Sequence, residues 1–127
     1  MAKILIVDDS ALTRKAISRI IEMIDLEFDE VVEACNGHEA LEMLQEGSID
    51  LVLADLNMPE MGGIEMIYHM ASHEVTKHIP VIVISTESST TRIEGLLANG
   101  AKNYLHKPFT PEQVKDVIEE TLGVSQE

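Results

Sequence analysis

Lys3-Ile4-Leu5-Ile6-Val7-Asp8-Asp9-Ser10 is a short apolar run that stops abruptly at two carboxylates and a hydroxyl. A run this brief, apolar on both alternating faces, predicts a strand buried in a parallel sheet. Behind it Ala16, Ile17, Ile20, Ile21 and Ile24 recur at helical spacing, with Ser10 or Asp9 as the cap. The same strand-then-helix unit repeats along the chain. Glu30–Ala34, Leu51–Ala54, Val81–Ile84 and Lys102–Leu105 read as four more strands. A second helix follows Asn36, with Glu39 in capping-box position before Ala40, Leu41 and Leu44. A third is expected from Gly63 to Ala71 and a fourth from Ser89 to Ala98, with Gly100 just past its end. The fifth runs from Pro111 to Leu122, started by a threonine cap at Thr110, proline at the first helical position and Gln113 reaching back. Such alternation predicts an α/β fold, a doubly wound five-stranded parallel sheet with helices on both faces. No linker or low-complexity stretch interrupts it, so residues 1–127 are expected to form a single domain with no appended output domain.

The strand ends carry chemistry. Asp8 and Asp9 follow the first strand, Asp55 and then Asn57 the third, Ser85 the fourth and Lys107 the fifth. In an open parallel sheet the carboxyl ends of the strands meet along one edge, where ligands bind. Three carboxylates, a hydroxyl and an ammonium are therefore expected to converge. Asp8-Asp9 alone would read equally as a solvated helix cap; Asp55 on a neighbouring strand turns the reading toward a metal site. Three crowded carboxylates repel, raising at least one pKa unless a divalent cation sits among them. Hard oxygen donors with room for water and phosphate suit magnesium, or manganese.

Bulk properties narrow the partners. A formal net charge of −14 disfavours nucleic acid and anionic membrane surfaces, because the field repels phosphates. No apolar run approaches the roughly 20 residues of a membrane span, and a strand-like run starting at residue 3 leaves no room for a signal peptide. A cytoplasmic location is the expectation, with basic or apolar protein surfaces as partners. The single cysteine, Cys35, has no partner for an internal disulfide and reads as a small core residue.

Ile6-Val7-Asp8-Asp9-Ser10, Asp55-Leu56-Asn57-Met58-Pro59-Glu60-Met61-Gly62-Gly63, Ile84-Ser85 and Lys107-Pro108-Phe109 together resemble the signature of bacterial response-regulator receiver domains. The match spans the whole chain with motif order and spacing intact, and among stand-alone members it is most similar to the chemotaxis type. The resemblance implies strand order 2-1-3-4-5, which is carried over from the family and its chemotaxis receiver and is not read from periodicity. It also implies that Asp9, Asp55 and the backbone carbonyl of Asn57 ligate the metal directly, with Asp8 acting through water. Asp55 is the expected phosphoacceptor, since a carboxylate oxygen can attack phosphorus in line while the metal offsets charge. Lys107 and Ser85 would contact the phosphoryl oxygens, and Ser85 with Tyr104 would form the switch that remodels the face of helix four, strand five and helix five. A cis Lys107-Pro108 bond is expected by the same resemblance. Asn57 and Glu87 flank the path of attacking water, which predicts a short-lived phosphoryl group. Thr86 stands where the family usually has alanine or glycine, and its bulkier side chain is expected to modulate access. The implied partners are a sensor histidine kinase, a flagellar motor switch protein or other protein target, and a phosphatase. The chain is expected to be a monomer, with phosphorylation-linked dimerisation open.

Competing classes fit less well. An aspartate-nucleophile phosphatase acting on free substrates wants a second aspartate as general acid where Asn57 stands, so no enzyme is expected. A flavin binder wants a glycine- and hydroxyl-rich phosphate loop after the first strand, where Asp8-Asp9 would repel phosphate. A phosphorelay intermediate, passing its phosphoryl group to a histidine phosphotransfer domain, would use the same pocket and stays as the alternative. His69, His73 and His78 are read as charges complementing a helix end, not as zinc ligands. His38 and His106 show no partners in sequence, Asp50 reads as solvated and the Met58/Met61 pair as packing. Gly95 is unexpected inside helix four and is read as easing its rearrangement.

Overall fold

Residues 3–24, 30–56, 61–86 and 89–122 are described by a computed structural model of the chain. Five strands, β1 (Lys3–Val7), β2 (Glu30–Ala34), β3 (Leu51–Asp55), β4 (Val81–Ser85) and β5 (Asn103–His106), pair in parallel. Their order is β2-β1-β3-β4-β5, the order the family resemblance implied. Between them lie α1 (Ala11–Met23), α2 (Gly37–Leu44), α3 (Gly63–Ala71), α4 (Thr90–Ala98) and α5 (Pro111–Leu122). The helix starts obey local chemistry. Ser10, not Asp9, caps α1, accepting from the Thr13 N–H. Thr110 and Gln113 form a reciprocal box, with the Gln113 N–H donating to Thr110 Oγ1 at 3.1 Å and the Thr110 N–H to Gln113 Oε1 at 2.8 Å.

Period-two alternation divides the core. Ile4 and Ile6 pack with Leu51, Leu53, Ile82, Ile84 and the α1 and α5 residues Ile17, Ile21, Val114 and Ile118. Leu5 and Val7 face the other way, with Val52, Ala54, Val83 and the α2–α4 residues Ala40, Leu44, Met66, Met70 and Leu96. Each fully buried Ile or Leu stabilises by roughly 1.5–3 kcal/mol, so this double layer tolerates charged groups gathered at its edge.

Some expectations need correction. β3 and β4 each run one residue further than predicted, because Asp55 still pairs with Ile84 and Ser85 with His106 before the ladder ends. β5 is shifted to Asn103–His106 for the same reason. Ala16 is exposed, since the buried stripe of α1 is Ile17 and Ile21 with Ile20 and Ile24 beside it. Cys35 is exposed, not a core residue: β2 is an edge strand ending at Ala34, and Cys35 already belongs to the turn into α2. There its N–H donates to Glu39 Oε1 at 2.9 Å, so Glu39 reaches one residue beyond the usual capping-box partner.

Gly100, at φ +123°, makes the left-handed turn out of α4, and the Ala101 N–H returns to the Leu96 carbonyl at 3.0 Å. Gly95 has no such backbone need. A Cβ built on it meets nothing within 4 Å. Gly95→Ala is therefore expected to raise stability by about 0.5–1 kcal/mol, through reduced freedom of the unfolded chain. An unchanged or lowered urea-unfolding midpoint would contradict this reading of α4.

Candidate functional site

The register of the central strands assembles the site. Val7 pairs with Ala54, so the next residues along, Asp8 just past β1 and Asp55 at the end of β3, stand side by side at the sheet edge. One carboxylate oxygen each from Asp8, Asp9 and Asp55 lie within 4.8 Å of one another. Asp8 is buried, Asp55 partly buried and Asp9 exposed, so the cluster opens from the sheet edge to solvent. Lys107 arrives from the far side of β5, its Nζ 3.6 Å from Asp8 Oδ2 and 3.6 Å from Asp55 Oδ1. The Lys107-Pro108 bond is cis, as expected.

Ser85, buried at the end of β4, links these parts through its carbonyl. That oxygen accepts from the Lys107 N–H at 2.8 Å and from the Tyr104 hydroxyl at 3.1 Å. Tyr104 is partly buried, packs on the α2–α4 side of the core and meets the His106 ring at 6.4 Å, so His106 does have a neighbour. Thr86 is exposed immediately beyond Ser85. Asn57, Met58 and Glu87 lie outside the described residues. The segment after Asp55 is bounded by close backbone packing. A Cβ on Gly63 would sit 2.6 Å from the Asp55 carbonyl oxygen, and one on Gly37 would sit 2.6 Å from Met61 Cγ, so glycine lets the start of α3 lie against the end of β3 and the start of α2 lie against Met61. Met61 is buried in that contact, as packing predicted.

Other singled-out residues play smaller parts. His69 lies in the last turn of α3 and pairs with Glu65 at 3.8 Å; among the described residues the histidines form no ligand group. Asp50 is exposed yet receives the Lys3 N–H at 2.9 Å. Two residues absent from the sequence reading, Arg14 of α1 and Glu33 of β2, reach the Asp8 corner. No local signal marks them, since α1 and β2 meet only in the folded chain.

The electrostatics fit a divalent cation. Three carboxylates face one ammonium, which leaves two negative charges for a metal to balance. The Asp55 carboxyl is pushed above the ordinary carboxylate range, first by its own burial. Lys107 opposes this, Asp8 adds to it, the Leu56 backbone N–H opposes it, and Asp9 adds a smaller push. Repulsion between carboxylates was the expected cause, whereas desolvation is the larger one. The sign of the consequence follows from proton binding. The folded chain holds a proton on Asp55 at pH values where the unfolded chain has lost it, so stability falls as pH rises through that window and stays lowered above it. Metal-free Asp55→Asn is therefore expected to be more stable than the parent at neutral pH. The gap should close as pH falls toward the ordinary carboxylate pKa of about 4, and paired thermal melts across that range would contradict the account if the gap were absent or widened in acid.

The response regulator receiver domain family matches residues 4–119. Chemotaxis protein CheY1 of Helicobacter pylori is 38% identical over 124 residues, covering 97% of this chain and 98% of that protein. The structure of chemotaxis response regulator CheY4 of Vibrio cholerae is similar with a TM-score of 0.86 and 34% identity, over 95% of this chain and 98% of that one. The CheX–CheY–BeF3–Mg complex of Borrelia burgdorferi is similar with a TM-score of 0.84 and 27% identity, over 95% and 89% of the two chains. Sequence and fold together place the chain in the response-regulator receiver family, whose members work with histidine kinases and take a phosphoryl group onto themselves without turning over free substrates.

Proposed function

We propose that this receiver is a magnesium-dependent chemotaxis switch that accepts its phosphoryl group on Asp55. One observation carries the reading: Lys107 Nζ stands 3.6 Å from both Asp8 and Asp55 at the rim of a three-carboxylate cluster. Asp55 has a carboxylate oxygen positioned to attack phosphorus, Lys107 a fixed charge for one phosphoryl oxygen, and Ser85 a hydroxyl for another. Asp9, Asp55 and the Asn57 carbonyl would hold the metal directly and Asp8 through water. Bound magnesium, or manganese in its place, offsets charge on the incoming phosphoryl oxygens. The similar Borrelia burgdorferi complex, which contains both magnesium and BeF3, supports this choice.

The output runs through Ser85. Its carbonyl already holds the Tyr104 hydroxyl, so drawing Ser85 toward a phosphoryl group would shift Tyr104 and the α4–β5–α5 face. A flagellar motor switch protein is the proposed target, because the relatives named for chemotaxis match nearly end to end. The chain would act as a stand-alone cytoplasmic monomer; among its described residues no helix is long and apolar enough to cross a membrane. Asn57, Glu87 and Thr86 would set the phosphoryl lifetime, and faster loss from Thr86→Ala would identify the threonine as a shield against water, whereas equal rates would remove it from that role.

One surface favours the phosphorelay alternative. Leu12, in the first turn of α1 just past Asp9, is 81% exposed, which offers a partner's phosphotransfer helix an apolar contact near the site. Calorimetry with the organism's flagellar switch peptide, in magnesium with and without beryllofluoride, separates the two. The motor reading expects at least several-fold tighter binding to the loaded protein and none of that gain in Asp55→Asn. Equal or absent binding in a correctly loaded protein would leave the phosphorelay reading in its place.

A further inference from the structure

Asp8 is held at every polar atom. Its N–H donates to the Ala34 carbonyl at 3.1 Å, Oδ1 accepts from the Ser10 N–H at 2.8 Å, and Oδ2 faces Lys107 at 3.6 Å. The remaining atom, its carbonyl oxygen, accepts from Arg14 Nη1. Arg14 is itself fixed from the other side, its Nε donating to Glu33 Oε1 at 2.9 Å, and only 16% of its side chain is exposed. One guanidinium thus ties together the end of β1, the first turns of α1 and the edge strand β2.

The atom that Arg14 holds matters because of where it lies in the chain. The Asp8 carbonyl belongs to the peptide unit that joins Asp8 to Asp9. Two soft dihedrals flank that rigid plane, ψ of Asp8 and φ of Asp9, and together they set the angle between the two Cα–Cβ bonds from which the carboxylates project. The Asp8 side has further restraints in Ala34 and Ser10. Asp9 itself is exposed; this plane constrains it from the N-terminal side, as Ser10, bonded to Asp8 Oδ1, does from the other.

We infer that Arg14 is a positioning residue, which locks the Asp8–Asp9 peptide plane and so aims the Asp9 carboxylate into the cation site. The inference rests on the metal reading of Asp8, Asp9 and Asp55. The planar fork is essential to it: Nε and Nη1 engage Glu33 and Asp8 at once, which a single lysine ammonium at the end of a flexible stem does not reproduce. Charge alone predicts the opposite sign. Removing a cation beside a site that binds cations should strengthen binding by lessening repulsion, whereas loss of the lock weakens it.

That opposition of signs makes the test. Magnesium chloride is titrated calorimetrically into the full chain and its Arg14→Met, Arg14→Lys and Glu33→Ala variants, with metal-free thermal melts alongside. Arg14→Met is expected to bind magnesium about tenfold more weakly, in the range found when groups supporting metal ligands are removed. Arg14→Lys should show a similar loss although the charge is kept, and Glu33→Ala a smaller one because the guanidinium is freed at one end. Glu33→Ala also serves if Arg14→Met does not fold, since it leaves the Arg14 side chain in place. Lys15→Met, which removes a neighbouring exposed charge from the same helix, should leave the affinity unweakened. Wild-type affinity in all three clamp variants, tighter binding in Arg14→Met, or full rescue by Arg14→Lys would each overturn the inference while leaving the metal reading intact. A parent protein that binds no magnesium would overturn both.

Discussion

Concentrated negative charge is the constraint around which this molecule is arranged. The parallel register that pairs Val7 with Ala54 forces Asp8 and Asp55 to emerge together, and the helix start at Ser10 leaves Asp9 beside them. Nothing in sheet packing requires three carboxylates there; burial of Asp55 and mutual repulsion both work against the ionised form. The apolar layers on either face of the sheet supply the stability that keeps such an arrangement folded. Lys107 relieves part of the repulsion between charges, and the imbalance that remains matches a divalent ion.

In the proposed switch, the same edge would convert local charge into a surface change. Ser85, Lys107 and Tyr104 are not independent side chains near a pocket, because the Ser85 carbonyl accepts from both of the others. In the proposed mechanism, a displacement of Ser85 would reach Tyr104 directly through this bond. β4 and β5 carry these groups on adjacent, paired strands, and α4 and α5 follow directly in sequence. Gly95 lies in α4 with open space where a side chain would be.

Much of this was legible from residue order. The limits of β1, β2, α3 and α5 follow from apolar runs and caps, and Asp8, Asp9, Asp55, Ser85 and Lys107 were marked by their places after strand-like runs. What escaped did so for physical reasons. Asp55 and Ser85 looked like residues after a strand, yet their backbones still pair across the sheet, since ladder hydrogen bonds are indifferent to side-chain polarity. Cys35 is exposed where a core residue is expected, and Ala16 lies off the buried stripe of α1, because an apolar pattern gives a face but not how far a neighbour covers it. The Arg14–Glu33 contact spans nineteen residues between a helix and an edge strand, and no spacing rule predicts it. The dominance of desolvation at Asp55 likewise depends on depth, which sequence does not carry.

The proposed switch depends on Asp55 being the carboxylate that takes the phosphoryl group with a metal beside it. Intact-mass spectrometry after exposure to a small phosphodonor such as acetyl phosphate, with magnesium present or chelated, measures that directly. One phosphoryl adduct is expected on the parent protein, dependent on magnesium and absent from Asp55→Asn. An adduct that persists undiminished in Asp55→Asn, or that forms equally well without a divalent cation, would contradict the proposal.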